Sequence, residues 1–255
     1  MNLFKKIKPI RLTFGAISDD YFYTPTVHPI PIKDWNIGWY EKMKQASKEN
    51  KLYFEKQNSS RTVRHCPSFV EIFQNGYVIP APADYFIHLD KDGDLIWHTS
   101  FSFLGQTGNQ DISFHYDDQL IDHLPNHSDY LRIAKINLPF KLFTPKGYSI
   151  QMMRMPYEDF SQWEAVYGML RTDKNHNMNI QLAIKSHDQI FIKQGTPLCL
   201  IVPFKREKFT HKMVDLSDKS KYTGKFYKIY KKHYLKTYGS EKPKFRQDYW
   251  KEEYK

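Results

Sequence analysis

Two cysteines in 255 residues, Cys66 and Cys199, are too few for a disulfide framework, so an apolar core has to hold the fold. No run of about 18 uncharged apolar residues occurs, which leaves no candidate for a membrane-spanning helix. The opening residues, Met1-Asn2-Leu3-Phe4-Lys5-Lys6-Ile7-Lys8-Pro9, also lack the apolar stretch of a secretory signal. These absences point to a protein that is not secreted, with the cytoplasm as its simplest compartment. Internal repeats are absent as well.

Charge of one sign is missing from most of the chain. The formal charge is +10, yet Lys205 to Lys255 hold 16 Lys and Arg against 7 Asp and Glu, leaving 22 against 21 for everything before them. The body is neutral and the C-terminal stretch is basic, so the overall charge is no argument that the body binds nucleic acid.

Aromatic residues, by contrast, are abundant: 18 Tyr, 18 Phe and 5 Trp. Rings pack well on a pleated surface, so this density favours sheets. Three regions follow. Residues 1–60 are extended and Pro-punctuated, with Trp39, Met43 and Ala46 at helical spacing between Asn36 and Asn50. Residues 61–206 form a β-rich body. Residues 207–255 form a basic, Tyr-rich tail in which Tyr222, Phe226, Tyr230 and Tyr234 recur at helical spacing.

Within the body, Asn75-Gly76 between Ser68–Phe73 and Tyr77–Pro80 predicts one hairpin, and Asp90-Lys91-Asp92-Gly93-Asp94 between Tyr85–Leu89 and Leu95–His98 predicts a second. Residues 105 to 130 have no clear period and read as an ordered loop with one short helix. Strands are expected at Arg132–Leu138, Phe140–Phe143, Tyr148–Met155, Val166–Arg171, Asn179–Ile184, Gln189–Ile192 and Pro197–Pro203. The expected class is mainly β, an antiparallel barrel or sandwich with a short N-terminal helix and a basic C-terminal helix or tail.

Cys66-Pro67-Ser68-Phe69, Asn75-Gly76-Tyr77-Val78-Ile79-Pro80, Lys146-Gly147-Tyr148-Ser149-Ile150 and the run from Gly195 to Arg206 resemble an uncharacterised family of tailed-phage proteins, marine myoviruses above all. That resemblance covers residues 65 to 206 and implies a phage product at work in the host cytoplasm or the virion. Residues 133–206 are also similar to the dUTPase and dCTP-deaminase type of β-barrel, the β-clip, whose members often share sites in trimers. Arg171 stands where the resemblance calls for the water-activating carboxylate, and Asp173 comes two places late. The shape is therefore expected without the chemistry.

Several clusters are candidates for chemistry. Lys146, Gly147, Tyr148, Arg154, Arg171 and Asp173 form a candidate ligand pocket, because guanidinium groups at the lip of a barrel are costly unless they meet an anion. His115, Asp117, Asp118, His123 and His127 combine imidazoles with carboxylates and form a candidate divalent-metal site, although Pro125 interrupts the helical spacing of His123 and His127. His88-Leu89-Asp90 has the spacing of two facial-triad ligands, which His176 or His187 could complete, but no Arg follows either histidine at a useful spacing and a strand end running into a turn is the preferred reading. Asp90, Asp92 and Asp94 lack the glutamate that closes a calcium loop. In the tail, Lys225, Lys228, Lys231 and Lys232, with Tyr227, Tyr230 and Tyr234, suit phosphates and bases, the surface of a neighbouring subunit, or the body itself.

No catalytic residue and no confident cofactor emerges. The leading expectation is a non-enzymatic structural or interaction protein that binds protein partners or itself. The alternatives are a nucleotide-binding or nucleotide-processing barrel with a redesigned site, and nucleic-acid binding through the tail. No association with membrane is expected.

Overall fold

The structure, a computed structural model, describes residues 10–35, 38, 71–123, 129–158 and 160–211. The helix expected at 36–50 and the aromatic helix of the tail fall outside the described residues. The chain divides into two compact units, Met1–Arg206 and Glu207–Lys255.

The first unit is mainly β and its pairings are antiparallel. In chain order come β1 (Thr13–Ala16), the single-turn helix α1 (Asp19–Phe22), β2 (Ile30–Pro31), β3 (Tyr77–Pro80), β4 (Tyr85–Leu89), β5 (Leu95–Thr99), β6 (Ile112–His115), β7 (Arg132–Phe143), β8 (Tyr148–Met153), β9 (Trp163–Ala165), β10 (Gly168–Leu170), β11 (Asn177–Ile184), β12 (Ile190–Ile192) and β13 (Pro197–Lys205). They build three sheets. One runs β1-β7-β11-β9 with β6 also on β7, the second runs β10-β8-β13-β3-β2, and the third is β12-β4-β5. Among the described residues none of these sheets closes on itself, so of the expected barrel or sandwich the closed barrel is corrected to open antiparallel sheets that contribute to a shared core.

Alternation of side chains explains the packing. Along β7, Ala134, Ile136, Leu138, Phe140 and Leu142 enter the main core, and along β11, Met178, Ile180, Leu182 and Ile184 do the same. The third sheet adds Tyr85, Ile87, Ile190 and Ile192, and the second adds Ile79, Ile150, Leu198 and Ile201. Each fully buried aliphatic side chain contributes about 1.5–3 kcal/mol by leaving water. A satellite cluster of Ile32, Phe73, Val78, Met155 and Leu200 occupies the opposite face of the second sheet.

Three local outcomes differ from the sequence pattern. Pro139 does not split β7: Asn137 pairs with Asn179 and Lys141 with Asn177, so β7 spans four residues where β11 spans two, and the proline sits in that bulge. The polar stretch before residue 130 contains a strand, β6, which lies along Ile133–Ile136 of β7.

Asn75-Gly76 does not make a hairpin. Glu71 and Ile72 are helical, the N–H of Asn75 and its side-chain Nδ2 both donate to the Glu71 carbonyl (3.1 and 3.0 Å), and β3 pairs with β13 and β2. Gly76, at φ +115°, ends a helical turn. A Cβ there would meet the Ile201 carbonyl oxygen at 2.5 Å. Gly76→Ala is expected to cost about 1–3 kcal/mol in chemical denaturation, because the backbone cannot adopt the angle and β13 cannot retreat.

The second expected hairpin forms as β4 and β5. Asp90 Oδ1 accepts the N–H groups of Asp92 (2.9 Å) and Asp94 (2.8 Å), so its carboxylate shapes the turn.

Candidate functional site

Lys146-Gly147-Tyr148 and Asp173 do come together. The β7–β8 turn places the Gly147 N–H 2.9 Å from Asp173 Oδ2, and the same oxygen accepts Arg206 Nη2 at 2.5 Å. Arg206 Nη1 donates to the Tyr148 carbonyl and to Ser149 Oγ (2.8 Å). The Arg206 hydrogen bond, joined by the Gly147 N–H, holds the Asp173 carboxyl well below the usual carboxylate range. Its side chain is only 4% exposed, so this carboxylate ties the start of β8 to the end of β13. A water-activating base needs an oxygen facing substrate; Asp173 Oδ2 faces protein, and Oδ1 is buried without a partner.

Below that tie, the Thr144 and Thr172 hydroxyls lie 2.7 Å apart, and His176 Nδ1 lies 2.9 Å from the Thr172 carbonyl and 3.2 Å from the Leu142 carbonyl. Two carbonyl acceptors assign the proton to Nδ1. The turns are therefore knitted shut by structural bonds.

Arg154 lies apart from this cluster. It is 59% exposed and pairs with Glu164 at 3.5 Å. Glu164 also accepts Tyr130 Oη (2.9 Å) and Lys185 Nζ (2.6 Å), and these donors together keep its carboxyl below the usual range despite burial. Arg171 is exposed. With both guanidinium groups at the surface, the argument that they require an anion is withdrawn.

The expected metal ligands are also engaged elsewhere. His115 Nδ1 lies 3.1 Å from Gln119 Oε1, Asp117 Oδ1 pairs with Arg132 Nη1 at 2.8 Å, and His123 Nε2 lies 2.9 Å from the Asp118 carbonyl. Among the described residues no three His, Cys, Asp or Glu side chains are placed to hold a metal ion. His127 lies outside the described residues, as do Lys225, Tyr227, Lys228, Tyr230, Lys231, Lys232 and Tyr234.

Two features went unseen in the sequence. The first is Asp111, 5% exposed, which accepts a short hydrogen bond from Ser102 Oγ. Burial pushes its carboxyl pKa up, against the pull of the Ser102 hydroxyl and the backbone N–H groups of Leu104 and Asp111. A folded pKa raised above the unfolded one means that the folded state holds its proton more tightly, so this group's contribution to stability falls as pH rises above the ordinary carboxylate value. Asp111→Asn is expected to remove that component. Its Tm, compared with the parent's between pH 4 and 7, should flatten relative to the parent rather than run parallel to it.

The second is the outer face of the β12-β4-β5 sheet. The registers put Phe191 beside Phe86 and Phe86 beside His98, with His88 beside Ile96 in the next row. Phe86 and Phe191 stack at 4.7 Å between ring centroids with 28° between planes, although they are 37% and 51% exposed. Ile96 is 37% exposed. The five outward side chains include no Asp, Glu, Lys or Arg. A solvated antiparallel face is ordinarily polar, and this one is apolar and aromatic at its centre. The alternation in Tyr85–Leu89 and Leu95–His98 already marked which residues face outward; only the tertiary pairing of β12 with β4 brings Phe191 onto Phe86.

No helix among the described residues is long and apolar enough to cross a membrane. Set against known protein families and against curated proteins, the chain matches none of them.

Proposed function

We propose that this chain is a non-enzymatic structural or interaction protein of the tailed-phage type, working in the host cytoplasm or the virion. Its body binds protein through the outer face of the β12-β4-β5 sheet, and the first occupant of that face is a second copy of the chain. The observation that carries this is the uncharged, stacked Phe86–Phe191 pair exposed on a sheet face. A face without formal charge meets its own copy without like-charge repulsion, and stacked aromatics give it an anchor of the kind that dominates interface energetics.

The carboxylates put forward for chemistry support the same reading. Asp173 is tied to Arg206 and Gly147, and Asp117 to Arg132. The basic, Tyr-rich C-terminal stretch is a second contact element, suited by composition to an acidic or aromatic surface. Sedimentation velocity of the full chain over a concentration series tests the reading: a reversible rise in mass with concentration supports it, and a strict monomer throughout overturns self-association.

A further inference from the structure

We propose that a cleft separate from that face binds a small anionic sugar, a monosaccharide carrying a carboxylate or a phosphate. The cleft, about 360 Å³ in volume, opens beside the β7 bulge. Pockets for small ligands start at about 300 Å³, so a single sugar unit fits where an extended polymer does not.

The bulge creates the opening. β6 pairs with β7 through Ile136, and β1 takes over the same edge at Phe140. Between them the Asn137 N–H reaches the Asp111 carbonyl (2.8 Å) and the Ile17 N–H reaches the Pro139 carbonyl (3.1 Å). The regular ladders of β6 and β1 thus stop on either side of residues 137–139, where one hydrogen bond from each flank remains, and the cleft lies beside that interval.

Its polar lining is Asn109, Gln110, Asn137, Asn177 and Lys141. A carboxamide offers two N–H donors and two acceptor lone pairs, so Gln110 and Asn177 match a ligand whose groups both donate and accept, as hydroxyls do, while Asn109 Nδ2 already donates to Thr107 Oγ1 at 2.8 Å. Asn137 is held in place, with Nδ2 donating to the Gln110 carbonyl at 2.8 Å. The side chains of Gln110, Asn177 and Lys141 have no hydrogen-bond or ion-pair partner among the described residues.

Charge and floor narrow the class further. Lys141 is the one ionisable residue in the lining, which sets the preferred ligand charge as negative. Beneath the polar lining lie Leu138, Phe140 and Met178, each 4% exposed or less, so a ligand there meets polar groups and very little apolar surface. Phe140 is 2% exposed, so a nucleobase would find no open ring to stack on.

The test is ligand-observed NMR and calorimetry on the full chain with glucuronate, glucose 6-phosphate, glucose and uridine monophosphate. Glucuronate or glucose 6-phosphate should bind, and glucose should bind more weakly. Lys141→Met should weaken the charged sugar about fivefold and leave glucose unchanged. Gln110→Ala and Asn177→Ala should weaken both sugars about three- to tenfold each. All three side chains are exposed, so the variants should keep the parent Tm, and Lys91→Met, on the β4–β5 turn and outside the lining, should bind like the parent. Silence from every sugar, binding that the three lining variants leave unchanged, or binding of uridine monophosphate alone would overturn the proposal.

Discussion

Phe86→Glu is expected to weaken self-association of the chain about a hundredfold, near 3 kcal/mol, while leaving the fold intact. The side chain projects from β4 away from the core, where its neighbours are Phe191 and His98, so its loss opens no cavity. The new carboxylate would be desolvated in the interface and would face its own copy across the contact, adding like-charge repulsion to the lost ring stacking. Phe191→Glu should behave alike, and the two together should lose less than the sum of the two singles, because the rings share one contact. Retention of the parent Tm with a shift to monomer is the expected pair of readings. An unchanged association constant would remove the face from the account.

Arg206→Ala is expected to give the largest loss of stability of any single charge removal in the body. It takes away the guanidinium that satisfies Asp173 Oδ2, the Tyr148 carbonyl and Ser149 Oγ together, and leaves a carboxylate that is 4% exposed with only the Gly147 N–H. Asp173→Asn should lose less, since a neutral amide left there needs no counter-charge.

The pH dependence distinguishes this tie from ordinary packing. The folded carboxyl has a pKa below its unfolded value, so the unfolded state takes up protons first as pH falls. The tie's stabilisation is complete above the unfolded carboxylate value, about 3.9, and declines as pH drops below it towards the lower folded value. The gap in Tm between the parent and Asp173→Asn should accordingly hold steady from neutral pH to about 4 and narrow in stronger acid. Asp111 has the opposite slope, because burial alone moves its pKa upward.

Much of the sheet structure was legible because strand burial obeys a period of two. The alternating runs from Arg132 onward set β7, β8, β10, β11, β12 and β13 to within a few residues, whereas β1, β2, β6 and the three-residue β9 were not anticipated. The Asp90–Asp94 turn was legible because Asp and Gly at those places have a mechanism of their own.

What could not be read depended on partners distant in sequence. Asn75-Gly76 has the same local chemistry in a hairpin turn and at a helix end, and only the engagement of β3 by β13 decides between them. A barrel or sandwich was expected from strands and turns at short intervals, and the strand pairings, which depend on contacts distant in sequence, leave the sheets open. The juxtaposition of Lys146-Gly147-Tyr148 with Asp173 was anticipated and its meaning was not. The partner that turns the carboxylate into a structural tie, Arg206, reaches it only because Lys205 lies opposite Tyr148 in the β13–β8 register.

The most direct measurement follows the imidazole proton resonances of His88 and His98 over a concentration series of the full chain, with exposed His187 as an internal reference. If copies meet on the Phe86–Phe191 face, the first two resonances move with concentration and saturate together while His187 stays in place. Constant positions for His88 and His98 while the mass rises would show that the copies meet elsewhere and would contradict the account.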